Sequence, residues 1–431
     1  MKLAIIADDL TGANDSGVQL ARHGLKTTVL FGMDEKHVQD YDAVVFDTDS
    51  RSLERQEAYD NVKEAAVFLK RSGFSAIFKK LDSTMRGNIG AEIDALYEAI
   101  NPDLVMIAPG YPKNGRSIID SVHYLKGIPL GETEISKDPK TPVTQSYLPE
   151  LIGSQTGRPI GTITISDLEK GKDHVKRKLS RFAGDSIPYI LIDSSEEQHL
   201  KDILDYTKDL ELELAWAGSA GIANYLPDYH SIPAKDCELA IPDGTSPVLT
   251  VIGSVNKNSR LQLKRLLEKT EVHAISFDSY KAVSDDNERA EEIRRIYQEA
   301  IEKAACGKDV VIYSTAEKAD IEKAWSTGES RGLTHTQISN EIVKAIGTVC
   351  SVLLEKQYFK GVTMTGGDTA KQICNLWDVQ GFELLEELET GVPISRFLGN
   401  EDIYVITKAG GFGSEDVLIH AMKKLKGEMQ R

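Results

Sequence analysis

The segment KLAIIADDLTGAND, from Lys2 to Asp15, decides the fold class of the N-terminal half. Its five apolar residues, Leu3 to Ala7, run directly into two aspartates, Asp8 and Asp9. A short, continuous apolar run of this kind is typical of a buried parallel strand. In open α/β sheets, ligands bind beyond the carboxyl ends of the strands. The segment therefore predicts an α/β fold with two carboxylates at a ligand site.

A purely structural role for the two aspartates is the alternative. Aspartate is a preferred N-cap residue, so Asp8 or Asp9 could do no more than cap the following helix. The adjacent Thr11 and Gly12 favour the ligand-binding interpretation. The pattern predicts that the helix itself runs from Asp15 to His23.

Composition and charge limit the partners that this protein can have. Of 431 residues, 41% are hydrophobic and 27% are charged, which is typical of a globular chain of roughly two to three domains. A net charge of −16 argues against nucleic-acid and anionic-membrane partners, because both bind basic patches. The four cysteines form no C-x-x-C pair, and no apolar run is long enough to span a bilayer. We therefore expect a cytoplasmic protein.

A second polar segment follows the predicted strand Ala76 to Lys80. It reads Leu81-Asp82-Ser83-Thr84-Met85-Arg86 and leads into a helix whose apolar residues repeat with the helical period. Backbone N–H groups at a helix N-terminus favour an anion, and an arginine can bind a carboxylate through two hydrogen bonds. The loop therefore predicts an anion site. A solvated charged loop with an aspartate cap is the alternative.

Proline clusters between residues 226 and 248, where the periodic pattern of strands and helices stops. We therefore predict an N-terminal domain at 1–230, a linker at 231–246 and a C-terminal domain at 247–431. Strands alternate with helices in both halves. This alternation predicts two Rossmann-like α/β domains with mostly parallel sheets and an active site in the cleft between them.

Three strand-to-helix turns of the second half carry glycine, at Gly253, Gly366–Gly367 and Gly410–Gly411. Glycine lets backbone N–H groups approach phosphate oxygens closely, so the turns predict a nucleotide phosphate site. The steric demand of a tight turn explains any one of them equally well. Neither a Walker A motif nor G-x-G-x-x-G after a first strand occurs, which disfavours a P-loop kinase and an ordinary dinucleotide enzyme.

The first half sets four basic side chains beside four aspartates: Arg51, Lys79, Lys80 and Arg86 beside Asp8, Asp9, Asp15 and Asp82. This combination suits a small polyhydroxy acid, with cations for the carboxylate and aspartates for the hydroxyl groups. A nucleotide in the second half then indicates phosphoryl transfer, in which an aspartate can accept the hydroxyl proton and Mg²⁺ bridges the phosphates. We expect Asp9 to be this catalytic residue, with Asp8 as the alternative.

Seven motifs together resemble the four-carbon acid sugar kinase family, whose members phosphorylate threonate, erythronate and 3-oxo-tetronate. The motifs are IADDLTGAND at Ile6–Asp15, DTDSR at Asp47–Arg51, KKLDSTMRGN at Lys79–Asn88, APGYPKNGR at Ala108–Arg116, GSVNKNSR at Gly253–Arg260, TGGDTA at Thr365–Ala370 and KAGGFG at Lys408–Gly413. They cover nearly the whole chain in the family's order. The resemblance implies an N-terminal domain that binds the acid sugar and a C-terminal domain that binds the nucleotide.

The resemblance also implies site residues, cofactors and a reaction. The sugar acid would contact Asp9, Arg51, Lys80, Asp82, Ser83, Thr84 and Arg86, and ATP would contact Ser254, Thr365, Gly366, Gly367, Asp368, Gly410 and Gly411. ATP and Mg²⁺ are the implied cofactors, and no metal ligands are assigned. The expected reaction is phosphorylation of the C4 hydroxyl of D-threonate, with D-erythronate and 3-oxo-tetronate as alternatives.

Two other classes of function stay open from the sequence. The first is a non-catalytic sensor that binds a sugar acid and a nucleotide, although a sensor has no need of a proton acceptor beside its ligand. The second is an oxidoreductase with a dinucleotide in its second half, which the missing fingerprint disfavours. A homodimer is compatible with the sequence.

Overall fold

The computed structural model describes residues 2–138, 141–232, 239, 241–242, 246–356 and 358–429. The chain divides into two units, Met1–Asp236 and Cys237–Arg431. Most of the predicted linker at 231–246 lies outside the described residues. The predicted domain limits at 1–230 and 247–431 therefore stay predictions.

The first unit alternates strands with helices along the chain. Its strands are β1 (Leu3–Ala7), β2 (Thr27–Leu30), β3 (Ala43–Asp47), β4 (Ala76–Lys80), β5 (Leu104–Ala108), β6 (Arg116–Ile119), β7 (Val122–Leu125), β8 (Ile128–Pro129), β9 (Ile160–Ile163), β10 (Tyr189–Ile192) and β11 (Leu214–Gly218). Its helices are α1 (Leu10–Arg22), α2 (Glu35–Gln39), α3 (Arg55–Arg71), α4 (Ile89–Ile100), α5 (Leu148–Gly153), α6 (Ile165–Glu169), α7 (Lys172–Gly184), α8 (Glu197–Thr207), α9 (Ala220–Ala223) and α10 (Leu226–Tyr229). Short 3₁₀ turns lie at Pro112–Asn114, Leu130–Glu132 and Glu134–Lys137.

The main sheet of the first unit is parallel, in the order β2-β3-β1-β4-β11-β5-β10-β9. Strand β1 lies between β3 and β4, with Ala7 level with Asp47 on one side and with Lys80 on the other. All five side chains of β1 are buried, as expected for a strand covered by helices on both faces. The carboxyl ends of three neighbouring strands therefore stop at the same edge. A small antiparallel sheet, β6-β7-β8, follows β5.

The second unit repeats the pattern. Its strands are β12 (Val248–Ile252), β13 (His273–Phe277), β14 (Val310–Ser314), β15 (Gly361–Thr365), β16 (Gly381–Glu389), β17 (Val392–Phe397) and β18 (Asn400–Lys408). Its helices are α11 (Lys257–Lys269), α12 (Ser279–Ala282), α13 (Asp286–Ala305), α14 (Lys318–Ser330), α15 (His335–Glu355), α16 (Gly367–Leu376) and α17 (Val417–Lys426).

The strands of the second unit lie in the order β13-β14-β12-β15-β18-β17-β16. The pairs from β13 to β18 are parallel, and β17 pairs antiparallel with both β18 and β16. Thr365 of β15 is level with Ile252 of β12 and with Lys408 of β18, so three strand ends again stop together. The strand order within each unit confirms the predicted α/β class with mostly parallel strands. The predicted cleft between domains stays a prediction.

The first helix differs from the sequence-based expectation at its start. It begins at Leu10, five residues before the predicted Asp15, because Asp9 is its N-cap and accepts a hydrogen bond from the Gly12 amide at 2.7 Å. The alternative of a capping role is therefore correct for Asp9, and the ion pair described below accompanies it. None of the helices in the described ranges has the length and the low polarity needed to cross a lipid bilayer.

Candidate active site

Arg51 connects the carboxylates that follow β1 and β4. Its Nε donates to Asp8 Oδ2 at 2.7 Å and its Nη2 to Asp8 Oδ1 at 3.1 Å, while Nη1 donates to Asp9 Oδ2 at 2.6 Å. Nη2 also lies 3.6 Å from Asp82 Oδ1. Because Arg51 follows β3, the level ends of three neighbouring strands bring these groups together. Four residues of the predicted site thus form one ion-pair cluster.

The two adjacent aspartates differ in their surroundings. Asp8 is 1% exposed and binds Arg51 through both oxygens, whereas the Asp9 side chain is 24% exposed. Burial opposes ionisation of Asp8, but the charges of Arg51 and Lys79 outweigh it and lower its pKa. Burial and the negative charges of Asp8 and Asp82 raise the pKa of Asp9, although the positive charge of Arg51 lowers it in part. Asp9 is therefore the accessible and more basic carboxylate.

The loop after β4 is organised by Asp82. Its Oδ2 accepts from the Thr84 hydroxyl and from Arg86 Nε at 2.8 Å, and its Oδ1 accepts from Arg86 Nη2 at 3.1 Å. Arg86 Nη1 donates to Asp138 at 3.2 Å. Burial disfavours the charge on Asp82, yet the two arginines hold its pKa well below the usual range. Arg86 therefore already binds two carboxylates of its own chain.

Lys80 and Ser83 complete the predicted acid site. The Lys80 amine is buried and donates to the Leu81 carbonyl at 2.9 Å, and Ser83 is half-buried. A Cβ atom on Gly12 would lie 3.1 Å from Lys80 Nζ and 2.8 Å from Asp9 Oδ1. Helix α1 therefore approaches both charged groups so closely that a larger residue at this position would require Asp9 or Lys80 to move.

We expect Gly12→Ala to lower kcat by about tenfold to a hundredfold, because the added methyl group must displace Asp9 or Lys80 from its position. Steady-state kinetics with saturating ATP would measure the effect. Gly184→Ala is the matched control, since a Cβ there meets nothing within 4 Å. A Gly12→Ala enzyme with the kcat of the control would contradict the expectation.

Lys79, one of the basic residues predicted beside the aspartates, is instead fully buried in an ion pair with Glu92, which was not predicted. Lys79 Nζ lies 2.9 Å from Glu92 Oε2, and their side chains are 0% and 1% exposed. Ser50 donates to the other Glu92 oxygen at 2.5 Å. The sequence did contain a signal for Glu92, since this acid lies on the apolar face of α4, three residues after Ile89 and one before Ile93.

The predicted nucleotide turns of the second unit meet at Ser254. A Cβ on Gly410 would lie 2.4 Å from Ser254 Oγ, and a Cβ on Gly366 would lie 3.5 Å from the Ser254 amide nitrogen. Gly366 also has a φ of +97°, which favours glycine. The turns after β12, β15 and β18 are therefore in contact, and glycine permits the approach.

The other predicted nucleotide residues lie around this junction. Gly367 and Asp368 begin α16, with Asp368 exposed in its first turn. Thr365 is fully buried, and its hydroxyl has no hydrogen-bond partner among the described residues. A Cβ on Gly411 would meet nothing within 4 Å, so Gly410 is the sterically constrained member of the pair.

Lys408, at the end of β18, was not predicted as a site residue. The residue is 3% exposed, and its amine donates to the Ala409 and Gly410 carbonyls at 2.9 and 3.3 Å. Burial lowers the pKa of this lysine to about 8, and Glu389 only partly opposes the effect. The signal available in the sequence was a lysine at the end of a strand, separated by Ala409 from the pair Gly410–Gly411. Within the described part of the chain, no cluster of three or more His, Cys, Asp or Glu side chains has the arrangement of a metal site.

Family models match both units. Residues 3–226 match the model described as a sugar-binding N-terminal domain, and residues 249–418 match the model described as a nucleotide-binding C-terminal domain. A D-threonate kinase of Salmonella typhimurium is 30% identical over 426 residues, covering 98% of each chain. A D-erythronate kinase of Heliobacterium modesticaldum is 27% identical over 96% of this chain and 94% of its own. A 3-oxo-tetronate kinase of Brucella melitensis is 26% identical, over 98% and 95%.

Solved structures share the fold. A crystal structure of a protein from Salmonella typhimurium LT2 aligns with a TM-score of 0.82 at 24% identity, over 98% of this chain and 99% of that one. A Haemophilus influenzae protein of family DUF1537 aligns with a TM-score of 0.76 at 25% identity, over 98% and 100%. The relatives are kinases, and they match the chain along nearly its whole length. The chain therefore belongs to the four-carbon acid sugar kinases, which confirms the family and the enzyme class expected from its motifs.

Proposed function

We propose that this kinase transfers the γ-phosphoryl group of ATP to the C4 hydroxyl of D-threonate, which yields D-threonate 4-phosphate. The cluster of Asp8, Asp9 and Asp82 around Arg51 carries the proposal, because it presents one accessible, basic carboxylate beside fixed positive charge. The preference for D-threonate rests on the relative of 30% identity. D-erythronate and 3-oxo-tetronate are the alternatives, since relatives of 27% and 26% identity act on them.

In the proposed mechanism, Asp9 accepts the proton of the C4 hydroxyl as that oxygen attacks the γ-phosphorus. The bond from the γ-phosphorus to the bridging oxygen breaks, and ADP leaves. A raised pKa suits Asp9 to this task, because a general base is most effective when its pKa approaches the working pH. Asp8, bound through both oxygens, holds Arg51 in place.

Lys80 and the loop at 82–86 bind the acid in this proposal. On the nucleotide side, Ser254, Thr365, Gly410 and Gly411 contact ATP together with the first turn of α16. Mg²⁺ is held mainly by substrate phosphates and by one or two carboxylates. The exposed Asp368 carboxylate in that turn fits this requirement and would hold the ion, which neutralises phosphate charge when bound.

ADP release with Mg·ATP tests the substrate. We would compare D-threonate, L-threonate, D-erythronate, L-erythronate, 3-oxo-tetronate and 4-hydroxy-L-threonine. We expect D-threonate to exceed the others in kcat/KM by about tenfold or more, because a site built around hydroxyl groups rejects the wrong configuration. A higher value for D-erythronate or 3-oxo-tetronate would reassign the substrate within the family. ATP binding without turnover of any acid would favour the sensor.

The affinity for ATP should depend on whether the amine of Lys408 is protonated. The pKa of this amine is about 8, so the amine loses its positive charge as the pH rises through this value. The affinity for ATP should therefore weaken by up to about tenfold from one pH unit below the pKa to one pH unit above it. With Mg·ATP, the bound ion keeps the terminal phosphate ionised across this range, so the lysine carries the change.

Calorimetry with Mg·ATP would measure how the affinity for the nucleotide depends on pH. Lys408→Met should remove this pH dependence. Lys264→Met, which changes a lysine that is 70% exposed on α11, is the control. Equal pH dependence in the wild type and in Lys408→Met would contradict the assignment. The predicted homodimer can be examined with the same samples by sedimentation.

A further inference from the structure

Three arginines lie near Asp82, and two of them are already paired. Arg51 binds the two aspartates after β1, and Arg86 binds Asp82 and Asp138. The third, Arg116, begins β6 and interacts electrostatically with Asp82, Tyr111, Arg86 and Asp15. Among the described residues, no carboxylate lies within ion-pair distance of Arg116. Of the three arginines, Arg116 is therefore the one that has no direct counter-ion among the described residues.

The backbone brings Arg116 to the same edge of the sheet as the acid site. The turn after β5 closes with two hydrogen bonds between Tyr111 and Arg116, from each amide to the other residue's carbonyl, at 2.8 and 3.0 Å. Gly115, with a φ of +70°, permits this turn. Arg116 Nη1 donates to the Asn114 carbonyl at 2.5 Å. Its Nε is buried without a partner among the described residues, while the side chain as a whole is half-buried.

A second unpaired group lies on the same face of the β6–β7 pair. Ile118 is opposite His123 and Arg116 is opposite Leu125, so Arg116 and His123 are diagonal neighbours. His123 is fully buried, and neither ring nitrogen has a hydrogen-bond partner in the described ranges. Burial lowers its pKa to about 4, so the imidazole is neutral and supplies no counter-charge to Arg116. His123 therefore leaves Arg116 without a direct counter-ion.

We propose that Arg116 binds the carboxylate of the substrate, and that Arg86 instead holds Asp82 and its loop in place. The inference rests on the proposed function, because it takes a four-carbon acid as the ligand. A guanidinium presents a planar pair of donors that matches a carboxylate, and the ligand restores the missing counter-charge. Arg86 was the predicted carboxylate partner, so the two arginines can be compared directly.

The test compares a sugar acid with its neutral amide of the same shape. Calorimetry in the presence of ADP, where no transfer occurs, would measure binding of D-threonate and D-threonamide, and of D-erythronate and D-erythronamide. We expect the wild type to prefer the acid over the amide by about tenfold to a hundredfold, as a charge-assisted hydrogen-bonded pair provides. Arg116→Gln should reduce this ratio to about one.

Matched variants separate Arg116 from its neighbours. Arg86→Gln should weaken acid and amide alike and keep their ratio. Arg116→Lys, which keeps the charge and loses the paired donors, should give an intermediate ratio. Arg181→Gln changes a surface arginine that is 81% exposed and should match the wild type. Thermal unfolding of each variant would show that the fold is retained.

Two results would overturn the inference in distinguishable ways. If Arg116→Gln keeps the wild-type ratio, or if Arg86→Gln alone abolishes it, then Arg116 does not bind the carboxylate and the proposed function is unaffected. If the wild type binds ATP but neither acid, the proposed substrate class is wrong, and the ligand assigned to Arg116 is lost with it.

Discussion

Replacing Asp9 by asparagine should lower kcat by about 100-fold to 10,000-fold, the range expected when a general base is lost. Asparagine caps a helix as well as aspartate does, so the hydrogen bond from the Gly12 amide and the start of α1 should persist. The free energy of unfolding should therefore change little. Stopped-flow or coupled-assay kinetics at saturating acid and ATP would measure kcat.

Asp34→Asn is the matched control, because Asp34 caps α2 by accepting from the Lys36 amide at 2.8 Å. It makes the same chemical change at a helix N-cap outside the ion-pair cluster, and kcat should be unchanged. An Asp9→Asn enzyme with near-normal turnover would exclude Asp9 as the base.

The pH dependence of kcat/KM gives an independent check on Asp9. The carboxylate must be ionised to accept a proton, so activity should fall as the pH is lowered through the pKa of Asp9. Since burial and the charges of Asp8 and Asp82 raise this pKa, the fall should occur at a higher pH than for an ordinary aspartate. Asp8→Asn should reduce activity by loosening Arg51 and should keep the acidic limb. Loss of that limb in Asp8→Asn would identify Asp8 as the base.

Glu92→Gln should destabilise the first unit by about 3–5 kcal/mol, because it leaves the Lys79 ammonium buried without its carboxylate. The lysine keeps hydrogen bonds to the Lys80 carbonyl at 2.9 Å and the Ile6 carbonyl at 3.3 Å, but neither group balances its charge. Urea unfolding of the full chain would give the loss of stability. Hydrogen exchange of the β1 and β4 amides would assign it to this part of the sheet.

An exposed pair is the matched control for Glu92. Lys264 and Glu268 on α11 are 3.7 Å apart, with side chains 70% and 60% exposed. Glu268→Gln should change the free energy of unfolding by less than about 1 kcal/mol, since water screens such pairs. The double variant Lys79→Met/Glu92→Leu should recover much of the stability, because it buries no charge. If Glu92→Gln is as mild as Glu268→Gln, the buried pair is not required for stability.

Local patterns were sufficient for the strands that carry the site. The strands Leu3–Ala7 and Ala76–Lys80 were predicted with the bounds that the structure has. Each strand is a short, largely apolar run that ends at a polar turn. Its limits therefore depend only on residues that are neighbours in the chain. The start of α1 was wrong by five residues, since Asp9 acts both as a cap and as a site residue.

Elements that depend on distant partners were not predicted. Strand β16 reads GFELLEELE, and its leucines and glutamates favour a helix in isolation. Its antiparallel pairing with β17 overrides that preference, which is usual for strands. Helices α13 and α14 were not predicted either, although both carry the exposed charged faces of surface helices.

The sequence by itself determined the family, the α/β class and the polar residues at the ends of strands, because each depends on residues that are neighbours in the chain. Tertiary structure decided which charges pair. Arg51 reaches Asp8 across 43 positions, and Lys79 meets Glu92 inside the core, because the order β3-β1-β4 and the packing of α4 bring them together. The same rule separates Arg86 from Arg116. Both are arginines that follow a strand of the main sheet, and only the folded chain supplies carboxylates to Arg86 and leaves Arg116, at the start of β6, for the proposed ligand.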